Sequence, residues 1–439
     1  MERQVAVIGG GYAGLAAAVT LARHGMAVTV FEAARRLGGR ARGVDHRGLV
    51  LDNGQHLLLG AYRQTLGLID LVAPEDAACR GSPYLRLPLG LEVPGQFRLK
   101  IWPLPGPLGL ALGLLAAGGL SLGDRVRALG FMAQMRRRKF SLAADMSVAA
   151  LLAAQRQGER ARRLLWQPLC LAALNTPPEA ASAQVFLNVL RDTLNGQHDA
   201  SNMILPRIDL GRLFPERAAR YLERRGGCVR TSAAVRAVLS HPAGFEIAAD
   251  AGSERFSQVV CAVAPQHLAR VVTHLPELSG AVEMVRGFEY EPIYTVYLQY
   301  PEHVGLASPI LGLTGGIGQW VFDRGRVNQT PGLLAVVISA RGAHQALSRE
   351  ALAQRVHEEL AAAVGGLPPP RWQMVIAEKR STFSCRAGIR RPGQLTPLRG
   401  FYLAGDYTAG DYPATLEAAV QSGVKCAHHL LNQDRGDQP

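Results

Sequence analysis

Several things are scarce in this chain of 439 residues, and each scarcity removes a class of protein. The six cysteines (Cys79, Cys170, Cys228, Cys261, Cys385 and Cys426) are scattered, and no two stand at the spacing of a zinc site or a redox pair. No metal centre is expected; what remains is buried thiols in a reducing cytoplasm. Nor is there a nucleic-acid module. The apolar run that opens the chain is short and ends in a glycine loop rather than a small-residue cleavage site, so no signal peptide is expected. A long uncharged stretch does exist, Ile101 to Gly123, with length enough for a membrane span. Pro103, Pro105 and Pro107 break its first third and glycines interrupt the rest, which excludes a spanning helix. A monotopic hairpin or an apolar tunnel mouth fits better, with a plain core helix as the alternative.

What is present begins with charge. Forty-eight basic residues against 35 acidic ones leave a net charge of +13, which suits anionic partners. Without a nucleic-acid module, a membrane surface ranks first among them. The basic run Arg136 to Lys139 lies just beyond the uncharged stretch, where it can face anionic headgroups or simply end a solvated helix.

The most informative segment is "QVAVIGGGYAGLAAAVTLARHGMAVTVFE", from Gln4. Gln4 to Ile8 reads as a buried parallel strand. Gly9, Gly11 and Gly14 then supply G-x-G-x-x-G, an alanine-rich helix follows to about Arg23, and a second strand ends at Glu32. Strand, glycine loop, helix and a distal carboxylate together make the dinucleotide fingerprint. Gly9 serves the tight turn, Gly11 the close approach of a pyrophosphate and Gly14 the packing of helix on strand. The helix N-terminus offers unpaired N–H groups to phosphate, and Glu32 suits a ribose.

"EAARRLGGRAR" places Arg36, Gly38, Gly39 and Arg40 after Glu32. This resembles the second loop of the flavin amine oxidase and phytoene desaturase superfamily, in which an arginine reaches the FAD pyrophosphate. Near the other end, the strand "GFYL" delivers Gly405 and Asp406, and a helix is expected from about Ala414 to Leu431, with Pro413 suited to its first turn. The resemblance implies that Asp406 binds the cofactor and that Thr415 and Leu416 bring a helix N-terminus to the flavin. It also implies that Val235 touches adenine through its backbone, and that 257–272 is a strand and helix returning the chain to the cofactor domain. Cys385 and Cys426 do not match the position of a covalent flavin link, so the FAD is expected to be noncovalent.

"GLVLDNGQHLLLGAYRQTL" (48–66) narrows the match. With Asp52, Asn53, Gly54, Gln55, His56, Gly60 and Tyr62 in place, it resembles the squalene-associated FAD-dependent desaturases, the hydroxysqualene dehydroxylase family of bacterial hopanoid pathways. "EKRSTFSC" (378–385) and 391–423 are similar too, so the resemblance runs over nearly the whole chain. It implies an α/β fold: a Rossmann-like FAD-binding domain (1–85, 205–280, 385–439) with an inserted α+β substrate domain (86–204, 281–384), amine oxidase-like. The strand "IYTVYLQY" (293–300) reads as half-buried and 333–340 as fully buried, whereas "GGIG" (315–318) reads as a turn.

The cofactor-binding candidates are Gly9, Gly11, Ala13, Gly14, Glu32, Gly39, Arg40, Gly54, Gln55, His56, Leu57, Val235, Gly405, Asp406, Thr415 and Leu416. The implied reaction is reductive removal of the hydroxyl of hydroxysqualene, a triterpene alcohol. An acid must help hydroxide leave, and Asp411, Tyr412 and His56 are the candidates; Asp411 would need burial to raise its pKa. A hydrocarbon desaturase, an amine oxidase and a flavin-stabilised membrane adaptor are the alternatives. The amine oxidase suffers from the shortage of lysine (Lys100, Lys139, Lys379 and Lys425) near a flavin. The expected setting is the inner face of the cell membrane, in contact with upstream enzymes of the pathway. No second dinucleotide fingerprint identifies an electron donor.

Overall fold

The structure is a computed structural model that describes residues 4–73, 82–102, 104, 107–194, 199–250 and 252–436. Cys79, Pro103 and Pro105 lie outside the described residues. The first sheet is built on β1 (Gln4–Ile8), followed by helix α1 (Tyr12–Arg23) and β2 (Ala27–Phe31). Three distant strands complete it: β3 (Cys228–Arg230), β4 (Gln258–Cys261) and β5 (Phe401–Leu403). Their order is β3-β2-β1-β4-β5, all parallel, with Val5 opposite Gln258 and Cys261 opposite Leu403. Alternate residues of β1 feed two cores: Val5 and Val7 pack with α1, Ala6 and Ile8 with the opposite layer. Burial on both faces explains its unbroken apolar run.

Helix α5 (Leu416–Gly436) closes the layer by crossing α1. The crossing is tight at Gly423, where a Cβ would stand 2.1 Å from the carbonyl oxygen of Ala13. The helix starts two residues later than the sequence suggests. Thr415 is its cap, with Oγ1 accepting the N–H of Ala418 at 3.1 Å, and Pro413 stays outside.

The second sheet is antiparallel. Its five strands run in the order Ile310–Gly312, Trp320–Asp323, Leu333–Ser339, Tyr290–Gln299, Trp372–Phe383. The strand Tyr290–Gln299 is covered on both faces, not one as its alternation suggests. Val296 and Leu298 pack under the helix Arg349–Val364, while Tyr297 joins Leu51, Leu205 and Ala335 on the other side. The polar tip that mimics an exposed residue is satisfied inside, since Tyr297 donates its hydroxyl to the carbonyl of Asp52 at 3.0 Å. "GGIG" is a turn, and its Ile317 and Gly318 N–H groups donate to Glu359 at 2.8 and 3.0 Å.

The uncharged stretch forms α3 (Leu108–Leu115), which packs on α4 (Leu122–Arg137). Among the described residues no helix is long and apolar enough to cross a membrane.

Candidate cofactor and active site

The glycine loop after β1 is shaped by what touches it. Gly9 holds φ at +113°, and a Cβ there would sit 2.6 Å from the Ala262 carbonyl oxygen; at Gly14 it would sit 2.0 Å from that of Gly9. Neither position tolerates a side chain. Gly11 is different: a Cβ built on it meets nothing within 4 Å. It precedes α1 with no side-chain cap and no acidic residue in the first turn. The helix N-terminus therefore presents unneutralised N–H groups to an open space. Gly39 faces the same space, its Cβ position 3.6 Å from the Cα of Gly11. Buried Ala13 lies on the first turn behind it.

Glu32 does more than await a ribose. Its carboxylate accepts the N–H of Gly10 at 2.7 Å and of Ala34 at 2.8 Å, bracing the loop and keeping one lone pair free on each oxygen. Ala233 donates to the Glu32 carbonyl, which brings the strand that starts at Val235 alongside.

Arg40 and Asp406 join the two ends of the chain. The guanidinium donates to Asp406 Oδ1 at 2.7 Å and to the Ser381 carbonyl at 2.5 Å. Gly405, at φ +153°, donates its N–H to Ser422 of α5 at 2.8 Å. Beside them Tyr407 is buried, and its hydroxyl has no hydrogen-bond partner among the described residues. An open glycine cradle, a free helix N-terminus, an Arg–Asp couple at the strand ends and an unpaired buried hydroxyl fit an extended pyrophosphate-bearing cofactor. The thiols do not suit a covalent link. Burial pushes Cys385 up to about 12, and Cys426 is also pushed up, with its Sγ 3.2 Å from the Leu403 carbonyl.

The loop after residue 48 is fastened from three sides. Asp52 pairs with Arg324 at 3.3 Å, and their side chains are only 3% and 4% exposed. The same guanidinium nitrogen donates to Gln55 Oε1 at 2.5 Å, and Asp52 Oδ1 accepts the N–H of Leu210 at 2.9 Å. Burial raises the pKa of Asp52, outweighing the opposing charge of Arg324. Gly54 is buried, and its carbonyl meets His56 Nδ1 at 2.6 Å; Leu57 packs on the core under the second sheet. Burial lowers the pKa of His56, against the pull of Asp52, so the imidazole is neutral near pH 7. Arg324, Tyr297 and Thr295, whose hydroxyl accepts the N–H of Gln55 at 3.4 Å, carry no local signal that ties them to this loop.

Glu417, in the first turn of α5, was also hidden from sequence reasoning. It caps a different helix, α2 (Arg63–Leu71), accepting the N–H groups of Gln64 and Thr65 at 3.1 and 2.9 Å and the Thr65 hydroxyl at 2.6 Å. Glu417→Ala leaves the N–H and hydroxyl of buried Thr65 without that acceptor, at about 1–3 kcal/mol each. A denaturant midpoint well below wild type, with an unchanged slope, is the expected result.

The acid candidates do not share one environment. Asp411 is not buried as its expected acid role would require. Its carboxylate is 71% exposed and stands 3.7 Å from Arg191, because Asn188 and Arg391 hold the neighbouring carbonyls and turn the side chain outward. Tyr412 is buried and donates to Asp192 at 2.8 Å; burial first, then that carboxylate, keeps the phenol protonated. Asp411 and Tyr412 line an open cleft of about 570 Å³ with Arg63, Arg191, Glu417 and Lys425, and His56 is not part of its wall.

Residues 12–431 match the flavin containing amine oxidoreductase family. The chain belongs to that family. Hydroxysqualene dehydroxylase of Rhodopseudomonas palustris is 33% identical to it over 99% of this chain and all of that protein. The enzyme of the same name from Sinorhizobium fredii is 30% identical over 99% of each. Among solved structures, an oxidoreductase from Methanosarcina mazei superposes with a TM-score of 0.75 at 17% identity, covering 97% of this chain and 100% of that one. This flavin containing amine oxidoreductase is an FAD-dependent enzyme, and its glycine cradle, Arg40 and Asp406 fit that cofactor.

Proposed function

We propose that this enzyme removes the hydroxyl of hydroxysqualene reductively, giving squalene and water. The observation that carries the reading is end-to-end similarity to hydroxysqualene dehydroxylases, in a chain whose 48–62 loop is pinned through Asp52, Gln55 and Arg324. Bound FAD, when reduced, supplies the hydride. Gly11, Gly39 and the α1 N-terminus hold its pyrophosphate, Arg40 and Asp406 fix the chain around it, and Glu32 takes the ribose through its free lone pairs. The carbon–oxygen bond breaks, the oxygen leaves as water with one added proton, and a carbon–hydrogen bond replaces it.

The proton is assigned to His56. Burial leaves the imidazolium a minor form near pH 7 but a stronger acid than a free one, so it is this protonated fraction that donates, and Gly54 fixes the ring through Nδ1. With FAD content unchanged, His56→Gln lowers the single-turnover rate about 100-fold, the lower end of general-acid effects. Asp411→Asn stays within about twofold, as an exposed carboxylate outside this role requires. Equal losses in the two variants contradict the assignment. The reaction itself is tested by incubating the holoenzyme with hydroxysqualene and a chemical reductant. Squalene forms only when the reductant is present; squalene formed without it, or none with it, defeats the reading.

A further inference from the structure

We propose that the α3–α4 hairpin docks on an anionic lipid bilayer. Apolar side chains that would ordinarily be covered are displayed here together: Trp102, Leu108, Leu112 and Leu115 on or beside α3, Leu122 and Val126 on the first turns of α4. Trp102 is 50% exposed and Leu122 70%. Leu108, Leu112 and Leu115 stand at helical i, i+4, i+7 spacing, and Leu122 and Val126 at i, i+4, so each helix offers one stripe. Beneath them the same helices bury Leu110, Leu114, Ala128 and Phe131 in the main core. The exposed stripes are a second apolar face on an element whose inner face is already satisfied. Grouped exposure of this kind marks an interaction surface.

Charge selects the occupant. Between Phe97 and Ala144 there are eight basic residues (Arg98, Lys100, Arg125, Arg127, Arg136, Arg137, Arg138 and Lys139) and one acidic residue, Asp124. Asp124 is buried and bonded to Arg127 at 2.7 Å and to Ser121 at 2.8 Å, so it presents no free negative charge. Arg125 is held at the edge of the apolar face by donating to the carbonyls of Leu115 and Leu120 at 2.7 and 3.1 Å. Arg160 reaches the carbonyl of Gly119 in the turn between the helices. Arg98 pairs with Gly118 through its backbone, which sets its exposed side chain on the same turn. An apolar face rimmed by guanidinium groups complements acyl chains under anionic headgroups. The eight residues of α3 rise about 12 Å, so the hairpin enters one leaflet and does not cross. The proposal explains how an enzyme of the function given above meets a substrate that barely dissolves in water; only that consequence rests on the functional reading.

Flotation of the holoenzyme with phosphatidylglycerol vesicles and with phosphatidylcholine vesicles tests the surface without reference to turnover. The wild type floats with phosphatidylglycerol, and added salt weakens the association. The triple variant Leu108→Gln, Leu112→Gln, Leu122→Gln alters only exposed side chains, keeps its flavin and its activity on detergent-dispersed substrate, and binds at least about tenfold more weakly. Brominated lipid quenches part of the wild-type tryptophan emission and spares it in Trp102→Phe. A wild type that stays unbound, a triple variant that binds as well as wild type, or equal binding to phosphatidylcholine overturns the proposal. So does a dimer in solution that the triple variant dissolves, which would make a second copy the occupant. Binding with no dehydroxylation keeps this surface and removes the function proposed above.

Discussion

Gly11→Val yields a folded protein without colour. A Cβ at Gly11 meets no atom of the described residues within 4 Å, and the residue's backbone, φ −81° and ψ −178°, lies in the region valine prefers. The added Cβ therefore strikes none of the described residues, and the expected cost to the fold is the weaker N-cap, about 1 kcal/mol. The space the side chain enters is the one in front of the α1 N-terminus, between Gly11 and Gly39, where the pyrophosphate is proposed to bind. Three extra carbons there push the phosphate out of reach, and FAD affinity falls at least about 100-fold, the loss of two or so charge-assisted hydrogen bonds. Gly14→Ala is the contrasting control. Its Cβ would stand 2.0 Å from the Gly9 carbonyl oxygen, so its damage is to the fold. Flavin absorbance and thermal unfolding, measured on both variants, separate the two effects. A yellow Gly11→Val protein would show that the cofactor lies elsewhere.

Arg324→Met is expected to destabilise the fold strongly. It leaves the Asp52 carboxylate buried with no counter-charge and takes the donor from Gln55. Breaking one side of a buried ion pair costs about 3–5 kcal/mol. The pH dependence gives the test its sign. The pKa of Asp52 is already raised by burial, and without Arg324 it rises further. A raised carboxyl pKa means that the folded state holds a proton the unfolded state has released. Its contribution is present at low pH and lost as pH rises through the folded value. The variant is therefore least impaired in acid and most impaired at neutral pH. Asp52→Asn combined with Arg324→Met recovers much of the loss, because no buried charge remains. Urea unfolding across that pH range checks both statements; a variant equally destabilised at every pH would contradict them.

Local backbone demands made much of the cofactor site legible. Gly9 needs its positive φ for the turn, Gly14 is fixed by a contact within that turn, and Asp406 follows directly from a short apolar strand. The connections that make the site rigid were not legible, because nothing near one partner announces the other. Arg324 lies 272 residues from Asp52, and Glu417 lies 352 from Thr65. Asp411 misled for a different reason. Its place in the link before the last helix suggested burial beside an apolar substrate, but the carboxylate is exposed on the rim of a cleft whose wall includes the buried Tyr412. The strand Tyr290–Gln299 likewise shows an alternation that stands for two cores rather than a core and a solvent face. Which leucines of the uncharged stretch face outward (Leu108, Leu112, Leu115 and Leu122) also depends on the tertiary packing, since an uncharged stretch has no intrinsic outside.

The central claim is that this FAD enzyme spends reduced flavin on a carbon–oxygen bond of hydroxysqualene. Anaerobic single turnover measures it directly: reduce the bound flavin, remove excess reductant, add hydroxysqualene, and follow the return of oxidised-flavin absorbance while squalene is quantified. The account predicts reoxidation in step with squalene, one for one. Flavin that stays reduced in the presence of hydroxysqualene, while the oxidised enzyme is bleached by a polyene or an amine, would contradict it.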